Sequence, residues 1–183
     1  MKFTALSISG AWLIEPVKHQ DDRGVFRRHF CAAEFAEHGL ETAVVQGNVS
    51  ENFRKGTLRG FHFQLPPHEE AKTLSCLAGA VHDIVVDLRP ASPTYLKWQG
   101  VDLDADNRRA VHIPAGCAHA FLTLSDDTLV HYYVSSVYAQ AAERGVRFDD
   151  PLFGFRWPAP VLTMSDRDRA FPDFDPAAQV DAR

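Results

Sequence analysis

The sequence predicts an all-β domain, a sandwich or barrel, and three observations carry that expectation. Short apolar stretches rich in Val, Ile, Phe and Tyr recur along the chain, Gly, Pro, Ser and Asp punctuate them, and helix-like stretches are few. The 183 residues, 45% hydrophobic and 23% charged, suffice for one domain with a substantial core and fall short of two, so residues 1–183 are taken as a single domain.

The elements follow in order. Met1 to Ile14 superficially resembles a short signal peptide, with one Lys ahead of Phe, Leu, Ile and Trp. Ser7, Ser9 and Gly10 interrupt the apolar run, and Glu15-Pro16 follows without a small-residue cleavage site, so a first strand and turn is expected. Ala32 to His38, stopped by Gly39, is expected to form a short helix. Strands are expected at Ala43-Val45, Leu58-Phe63, Thr73-Leu77, Val81-Leu88, Ala110-Ile113, Ala120-Leu124 and Leu129-Val134. Gly56, Pro66-Pro67, Gly79, Pro90, Pro114-Gly116 and Ser125-Asp127 separate them. A second short helix is expected at Ala139 to Arg144, ending at Gly145. From Pro172 the chain turns polar, with Asp173, Asp175 and Pro176, and is expected to form a loosely held tail.

Charge and cysteine usage remove whole classes of function. Twenty-four acidic against nineteen basic residues give a net charge of -5, and the scattered basic residues form no stripe for a phosphate backbone, so nucleic acid is not an expected partner. No apolar run approaches the roughly 18 residues of a membrane helix, so no membrane partner is expected. Cys31, Cys76 and Cys117 are odd in number, widely spaced and without a CxxC pair, which argues against a disulfide framework and a thiolate zinc site. Free thiols suit a reducing cytoplasm.

The unusual polar residues concentrate in Arg59-Gly60-Phe61-His62-Phe63-Gln64, followed by Lys72. So apolar a strand must turn its polar side chains toward a wet cavity, because burying them unpaired costs several kcal/mol each. Strict alternation, however, puts His62 with Leu58, Gly60 and Gln64, and Arg59 on the other face with Phe61 and Phe63. Arg59 and His62 share a cavity only if the alternation breaks, and Gly60 is the position for a bulge. A second polar signal, Pro114-Ala115-Gly116-Cys117-Ala118-His119, is a tight turn feeding a histidine onto a new strand. With His62 and Gly79 it resembles the two-part signature of cupins, which implies a double-stranded β-helix, or jelly-roll barrel, with a few short helices. The His-x-His pair of metal-binding cupins is replaced by His62-Phe63-Gln64. His68, Glu70 and His119 are available as ligands, but their spacing forces no site, so neither a metal nor another cofactor is expected.

A series of motifs then makes the resemblance specific. Asp22-Arg23-Gly24-x-Phe26-x-x-x-Phe30, Gln46-x-Asn48-x-Ser50, Arg59-Gly60-x-His62-x-Gln64-x-Pro66-Pro67, Ala71-Lys72 and Val86-Asp87-Leu88-Arg89-x-x-Ser92-Pro93-Thr94 occur in order. Pro114-x-Gly116-x-x-His119-x-Phe121, Tyr132, Tyr138, Glu143-Arg144-Gly145, Asp149-Asp150-Pro151, Trp157-Pro158 and Ser165-Asp166-x-Asp168 continue it. The series is similar to the dTDP-4-dehydrorhamnose 3,5-epimerases, nucleotide-sugar epimerases that invert carbons beside a 4-keto group.

That resemblance implies a cofactor-free isomerase acting on an NDP-4-keto-6-deoxyhexose, with dTDP-4-keto-6-deoxyglucose as the default substrate. Inversion beside a ketone needs a base on one face, a stabiliser for the enolate oxygen and an acid on the other face. His62 matches the family's base, and histidine suits it because its ordinary pKa lies near neutrality. Asp168 matches the carboxylate that fixes its tautomer, Lys72 the enolate stabiliser and Tyr132 the acid. Arg23, Arg59 and Arg167 match positions that bind the diphosphate and neighbouring groups. Gln46, Asn48, His119 and Glu143 match polar substrate contacts, Phe26 an apolar one, and Tyr138 and Arg28 stand at further substrate-binding positions. The resemblance also implies a homodimer in which a terminal strand crosses to the partner, with Leu6-Ser7-Ile8 the segment expected to pair there.

Two departures stand out. Arg28 occupies a position usually Glu, and Tyr133 one usually Lys, so Arg28 is expected to compensate near the substrate for the charge missing at Tyr133. Read without the resemblance, His62 and His119 are structural histidines, Lys72 and Arg59 solvated or ion-paired charges, Tyr132 a half-buried strand aromatic and Asp168 a turn residue. Asp87-Leu88-Arg89 is expected to be chiefly a structural ion pair, and Trp157-Pro158 to serve packing. A metal-dependent cupin oxygenase or isomerase using His62 and His119, and a non-catalytic sugar-binding cupin, are the alternative functions.

Overall fold

Alternation of side chains along the strands sorts the chain into two facing sheets with a core between them and a further apolar layer on each outer face. A computed structural model of the protein describes residues 1–177. The strands are β1 (Lys2–Ala5), β2 (Trp12–Glu15), β3 (Lys18–Asp21), β4 (Gly24–Arg27), β5 (Gln46–Asn52), β6 (Leu58–Gln64), β7 (Lys72–Ala78), β8 (Ala80–Asp87), β9 (Trp98–Asp104), β10 (Ala110–Ile113), β11 (Cys117–Thr123), β12 (Thr128–Val134) and β13 (Glu143–Gly145). Two short helices, α1 (Ala32–Glu37) and α2 (Asp166–Arg169), complete the set.

One sheet runs β1-β2-β10-β7-β12-β5, the other β13-β6-β11-β8-β9, and β3 and β4 pair only with each other. All pairings among these strands are antiparallel. From β6 onward the chain passes back and forth between the sheets, staying in the five-stranded sheet only from β8 to β9, so that β7 meets β10 and β12 while β8 meets β11 and β9. That connectivity is the jelly-roll barrel.

Leu74, Val85, Val101, Leu103, Val111, Ile113, Phe121 and Val130 fill the space between the sheets. Their neighbours in sequence face outward: Ile84, Val86, Ala118 and Ala120 join Phe61, Phe63 and Phe153 behind the five-stranded sheet. Behind the six-stranded sheet, Ile14 and Ala110 meet Phe35 of α1 and Leu40. Burying one such side chain contributes about 1.5 to 3 kcal/mol, so all three layers hold the sheets in register. Asp87, fully buried at the end of β8, accepts hydrogen bonds from Arg89, Ser92 and Thr94. Burial works to raise its pKa, but those bonds outweigh it and hold the carboxyl at about 2, and Arg89 is the ion-pair partner expected for it, at 2.7 Å.

Five expectations need correction. Ala43-Val45 is not a strand, since pairing with β12 starts at Gln46. The strand expected at Ala120-Leu124 begins at Cys117, directly after the Gly116 turn. Ala139 to Arg144 makes one turn, with the amides of Ala142 and Glu143 donating to the Ala139 carbonyl, and then Glu143–Gly145 pairs with the open edge of β6. Within the single chain Leu6-Ser7-Ile8 is a bend between β1 and β2 rather than a strand, with Ile8 in the core. The chain after Pro172 is held: Asp173 pairs with Arg147 at 2.8 Å, and the Phe174 amide donates to Asp150. Residues 178–183 of the expected tail lie outside the described residues. Among the described residues no helix is long and apolar enough to cross a membrane, and all three cysteines are free.

The layer behind the six-stranded sheet gives the fold an acid limit. Burial pushes the His112 imidazole down to about 4, and burial followed by the nearness of His131 and Arg27 pushes His29 down to about 4. A depressed base binds its proton more readily in the unfolded chain. Stability from these two histidines is therefore full above about pH 6.5 and lost as pH falls toward 4. Thermal melts should show a steep fall in Tm across that window, and a His112→Gln variant should show a shallower one.

Candidate active site

An open cavity of about 920 Å³ lies between the sheets, and its lining includes eleven of the side chains singled out from sequence: Gln46, Asn48, Arg59, His62, Lys72, His119, Tyr132, Tyr138, Glu143, Arg167 and Asp168. Its walls come from opposite sheets. β6 and β11 of the five-stranded sheet carry Arg59, His62 and His119, while β5, β7 and β12 of the six-stranded sheet carry Gln46, Asn48, Lys72 and Tyr132.

Arg59 and His62 reach one cavity because the register skips. His119 pairs with His62 and Ala120 with Gly60, so Phe61 has no residue opposite it on β11. The bulge turns Phe61 outward and returns His62 to the side of Arg59. Gly60 has φ of +117°, and a Cβ there would meet the His119 carbonyl oxygen at 2.5 Å, so both backbone and space require glycine.

The four residues matched to catalysis lie in this one lining. His62 Nε2 lies 2.8 Å from Asp168 Oδ1, across 106 residues of sequence. With the carboxylate as acceptor the ring proton sits on Nε2, leaving the lone pair on Nδ1. Ser165 caps α2 by accepting from the Asp168 amide at 3.1 Å, and the Gly60 amide donates toward Asp168 Oδ2 at 3.4 Å. Burial acts to raise the Asp168 pKa, but the bond from His62 and its neighbours prevail and the carboxyl is held below its ordinary value. Lys72 Nζ lies 3.0 Å from Glu70 Oε1 and donates to the His62 carbonyl at 3.3 Å. The Tyr132 phenol is pushed up first by burial and then by the Glu70 charge, against an opposing effect of Arg59, so it stays protonated to higher pH than an ordinary tyrosine.

Polar contacts tie the remaining lining together. His119 Nδ1 meets Asp83 Oδ2 at 2.9 Å, and burial lowers the pKa of this imidazole despite the carboxylate. Arg167 and the Tyr138 hydroxyl both donate to Glu143 Oε2, at 2.8 and 2.6 Å. Arg59 donates to Asn52 and Gln46 to Asn48. Among the described residues no three His, Cys, Asp or Glu side chains come together as a metal-holding group.

Arg23, Phe26 and Arg28 do not line the cavity of their own chain. The Arg23 side chain is 91% exposed and Phe26 75%, both on the separate β3–β4 hairpin, while Arg28 pairs with Glu34 at 2.9 Å. Tyr133 also departs from expectation. Alternation along β12 sends Tyr132 into the cavity and Tyr133 to the opposite face, packed edge-on against Phe30. Arg28 therefore does not replace a charge missing at Tyr133 within this chain, since neither side chain lines the site. Sequence reasoning missed Asp83 and the cavity position of Glu70. Asp83 carried a usable signal, because a carboxylate inside the apolar run Val81–Asp87 has to find a partner.

The jelly-roll connectivity and the polar cavity between its sheets define a cupin-type barrel protein with a built site. A family model described as dTDP-4-dehydrorhamnose 3,5-epimerase matches residues 5–176. A dTDP-4-dehydrorhamnose 3,5-epimerase of Mycolicibacterium smegmatis is 46% identical over 169 residues, 91% of this chain and 83% of that one. A dTDP-4-dehydrorhamnose 3-epimerase of Streptomyces niveus is 41% identical over 170 residues, 92% of this chain and 82% of that one. The crystal structure of the 3,5-epimerase from Elizabethkingia anophelis superposes with a TM-score of 0.91 at 35% identity, covering 95% of this chain and 96% of that one. The chain belongs to the dTDP-4-dehydrorhamnose 3,5-epimerase family.

Proposed function

We propose that the protein inverts C3, C5 or both in an NDP-4-keto-6-deoxyhexose, with dTDP-4-keto-6-deoxyglucose as the default substrate, as a step of deoxysugar biosynthesis. The observation that carries the reading is the placement of the His62–Asp168 pair on one wall and Lys72 and Tyr132 on the other. The ketone at C4 acidifies the neighbouring C–H bonds. His62 Nδ1 takes the proton, and Asp168 stabilises the resulting imidazolium through Nε2–H. The C–H electron pair moves into an enolate whose oxygen is stabilised by the Lys72 ammonium, itself a largely buried group. Tyr132 gives a proton to the carbon from the other side, which inverts the centre. Arg59 and Arg167 suit the diphosphate as permanently charged guanidinium forks, with Gln46, Asn48, Tyr138, Glu143 and His119 as polar contacts.

Similarity to both a 3,5-epimerase and a 3-epimerase leaves the number of centres to experiment. Wild-type enzyme with dTDP-4-keto-6-deoxyglucose in deuterium oxide should introduce label at C3, with or without C5, as read by NMR. His62→Ala should abolish the exchange while keeping nucleotide binding. Absence of label at both carbons with the wild type, or exchange retained in the variant, contradicts the assignment of substrate or base respectively.

The reading includes a homodimer working in the cytoplasm, the latter supported by three free cysteines. The β3–β4 hairpin, unpaired with either main sheet, carries Arg23 and Phe26 exposed, and we assign these and Arg28 to the cavity of a second copy. Mixing inactive Arg23→Ala and His62→Ala proteins after subunit exchange should restore activity, to about a quarter of sites for random pairing. If the hairpin serves its own chain, the mixture stays inactive.

A further inference from the structure

The chemistry above gives no role to Glu70, a carboxylate of the cavity wall in the loop between β6 and β7. Its side chain is 11% exposed, and its Oε1 lies 3.0 Å from Nζ of Lys72, which is 9% exposed. Its other oxygen accepts from Gln64 Nε2 at 3.2 Å. Gln64, the last residue of β6, is itself tied down: Nε2 also donates to the His68 and Val137 carbonyls at 3.0 and 3.3 Å, and Oε1 accepts from the Ala139 amide at 2.6 Å. The carboxylate is thus fixed on one side by a glutamine braced against the segment after β12, and on the other holds the lysine.

A largely buried ion pair is a poor device for stability, because desolvation offsets much of the attraction. It is a good device for direction. A lysine side chain has a flexible four-carbon stem, and an ammonium that must be brought into place as charge develops stabilises it less than one already there. We propose that Glu70, braced by Gln64, is the positioning residue for Lys72, holding its ammonium at the cavity wall where the enolate oxygen forms. The proposal rests on the reading of Lys72 as enolate stabiliser.

A second consequence follows from the same carboxylate. The titratable and charged groups lining the cavity with Tyr132 are Glu51, Arg59, His62, Glu70, Lys72, His119, Tyr138, Glu143, Arg167 and Asp168. After burial, the Glu70 charge is the next influence keeping the phenol protonated. Neutralising it brings the phenol's ionisation to lower pH.

The test is steady-state epimerisation by Glu70→Gln, Lys72→Ala and the double variant with dTDP-4-keto-6-deoxyglucose. Glu70→Gln, close in shape, should lower kcat about 10- to 100-fold at unchanged KM, the loss expected for a displaced catalytic group. Its kcat profile should also bend down at lower pH on the alkaline side than the wild type's. Because Glu70 acts through Lys72, the double variant should be no slower at neutral pH than Lys72→Ala. Wild-type kcat and pH profile in Glu70→Gln, or losses that simply add, would overturn the proposal. Full activity in Lys72→Ala would instead overturn the underlying assignment of Lys72. Should Glu70→Gln not fold, Glu70→Asp, which draws the charge back by one methylene, should lower kcat at unchanged KM, and wild-type kcat there counts against the proposal in the same way.

Discussion

The register skip in β6 is the constraint on which the cavity depends. With uninterrupted alternation, Arg59 and His62 would face opposite sides of the five-stranded sheet, and Phe61 and His62 would exchange surroundings. A single unpaired residue opposite the His119–Ala120 step puts both polar side chains between the sheets and keeps Phe61 and Phe63 in the outer apolar layer. The same step brings the Gly60 amide to Asp168, so the bulge also helps seat the carboxylate that holds His62.

Around that skip, the molecule solves one electrostatic problem repeatedly. Asp83, Asp87 and Asp168 are almost fully buried, which is costly for a carboxylate standing alone. Each has a donor: Asp87 has Arg89 with Ser92 and Thr94, Asp168 has His62, and Asp83 has His119 on Oδ2 while its buried Oδ1 has no partner among the described residues. Asp87 closes a loop at the end of a strand, whereas Asp83 and Asp168 orient imidazoles that line the cavity. The two facing sheets then give the proposed chemistry its geometry, since inversion asks for proton removal and return from opposite sides, and His62 and Tyr132 come from opposite walls.

Much of this was legible in the sequence, and the failures have physical causes. Strands buried on both faces, such as Val81 to Asp87, announce themselves as apolar runs. β9 did not, because it is a sheet edge: Gln99, Asp102 and Asp104 dilute the signal of Val101 and Leu103. β3, exposed throughout, offered no apolar signal at all. His62, Lys72, Tyr132 and Asp168, which line one cavity, were singled out through motif order, and the bulge at Gly60 was anticipated from a conflict between alternation and chemistry. Tyr133 was misplaced although the rule that corrects it, opposite faces for adjacent strand residues, was already in use for β6. Glu70 was weighed only as a metal ligand, since beside Glu69 it resembles one half of a solvated pair, and only the fold turns it toward Lys72. Arg23 and Phe26 are exposed on a hairpin that pairs with neither main sheet, a placement that no local sequence pattern announces.

The central claim is that removal and return of the proton are performed by different side chains on opposite walls. Tyr132→Phe tests it most directly, with deuterium incorporation and stereochemistry followed together in deuterium oxide. If His62 alone exchanges the carbon-bound proton on its own face, the variant should incorporate label without inverting the centre. Inversion at the wild-type rate in the absence of the phenol would contradict the account.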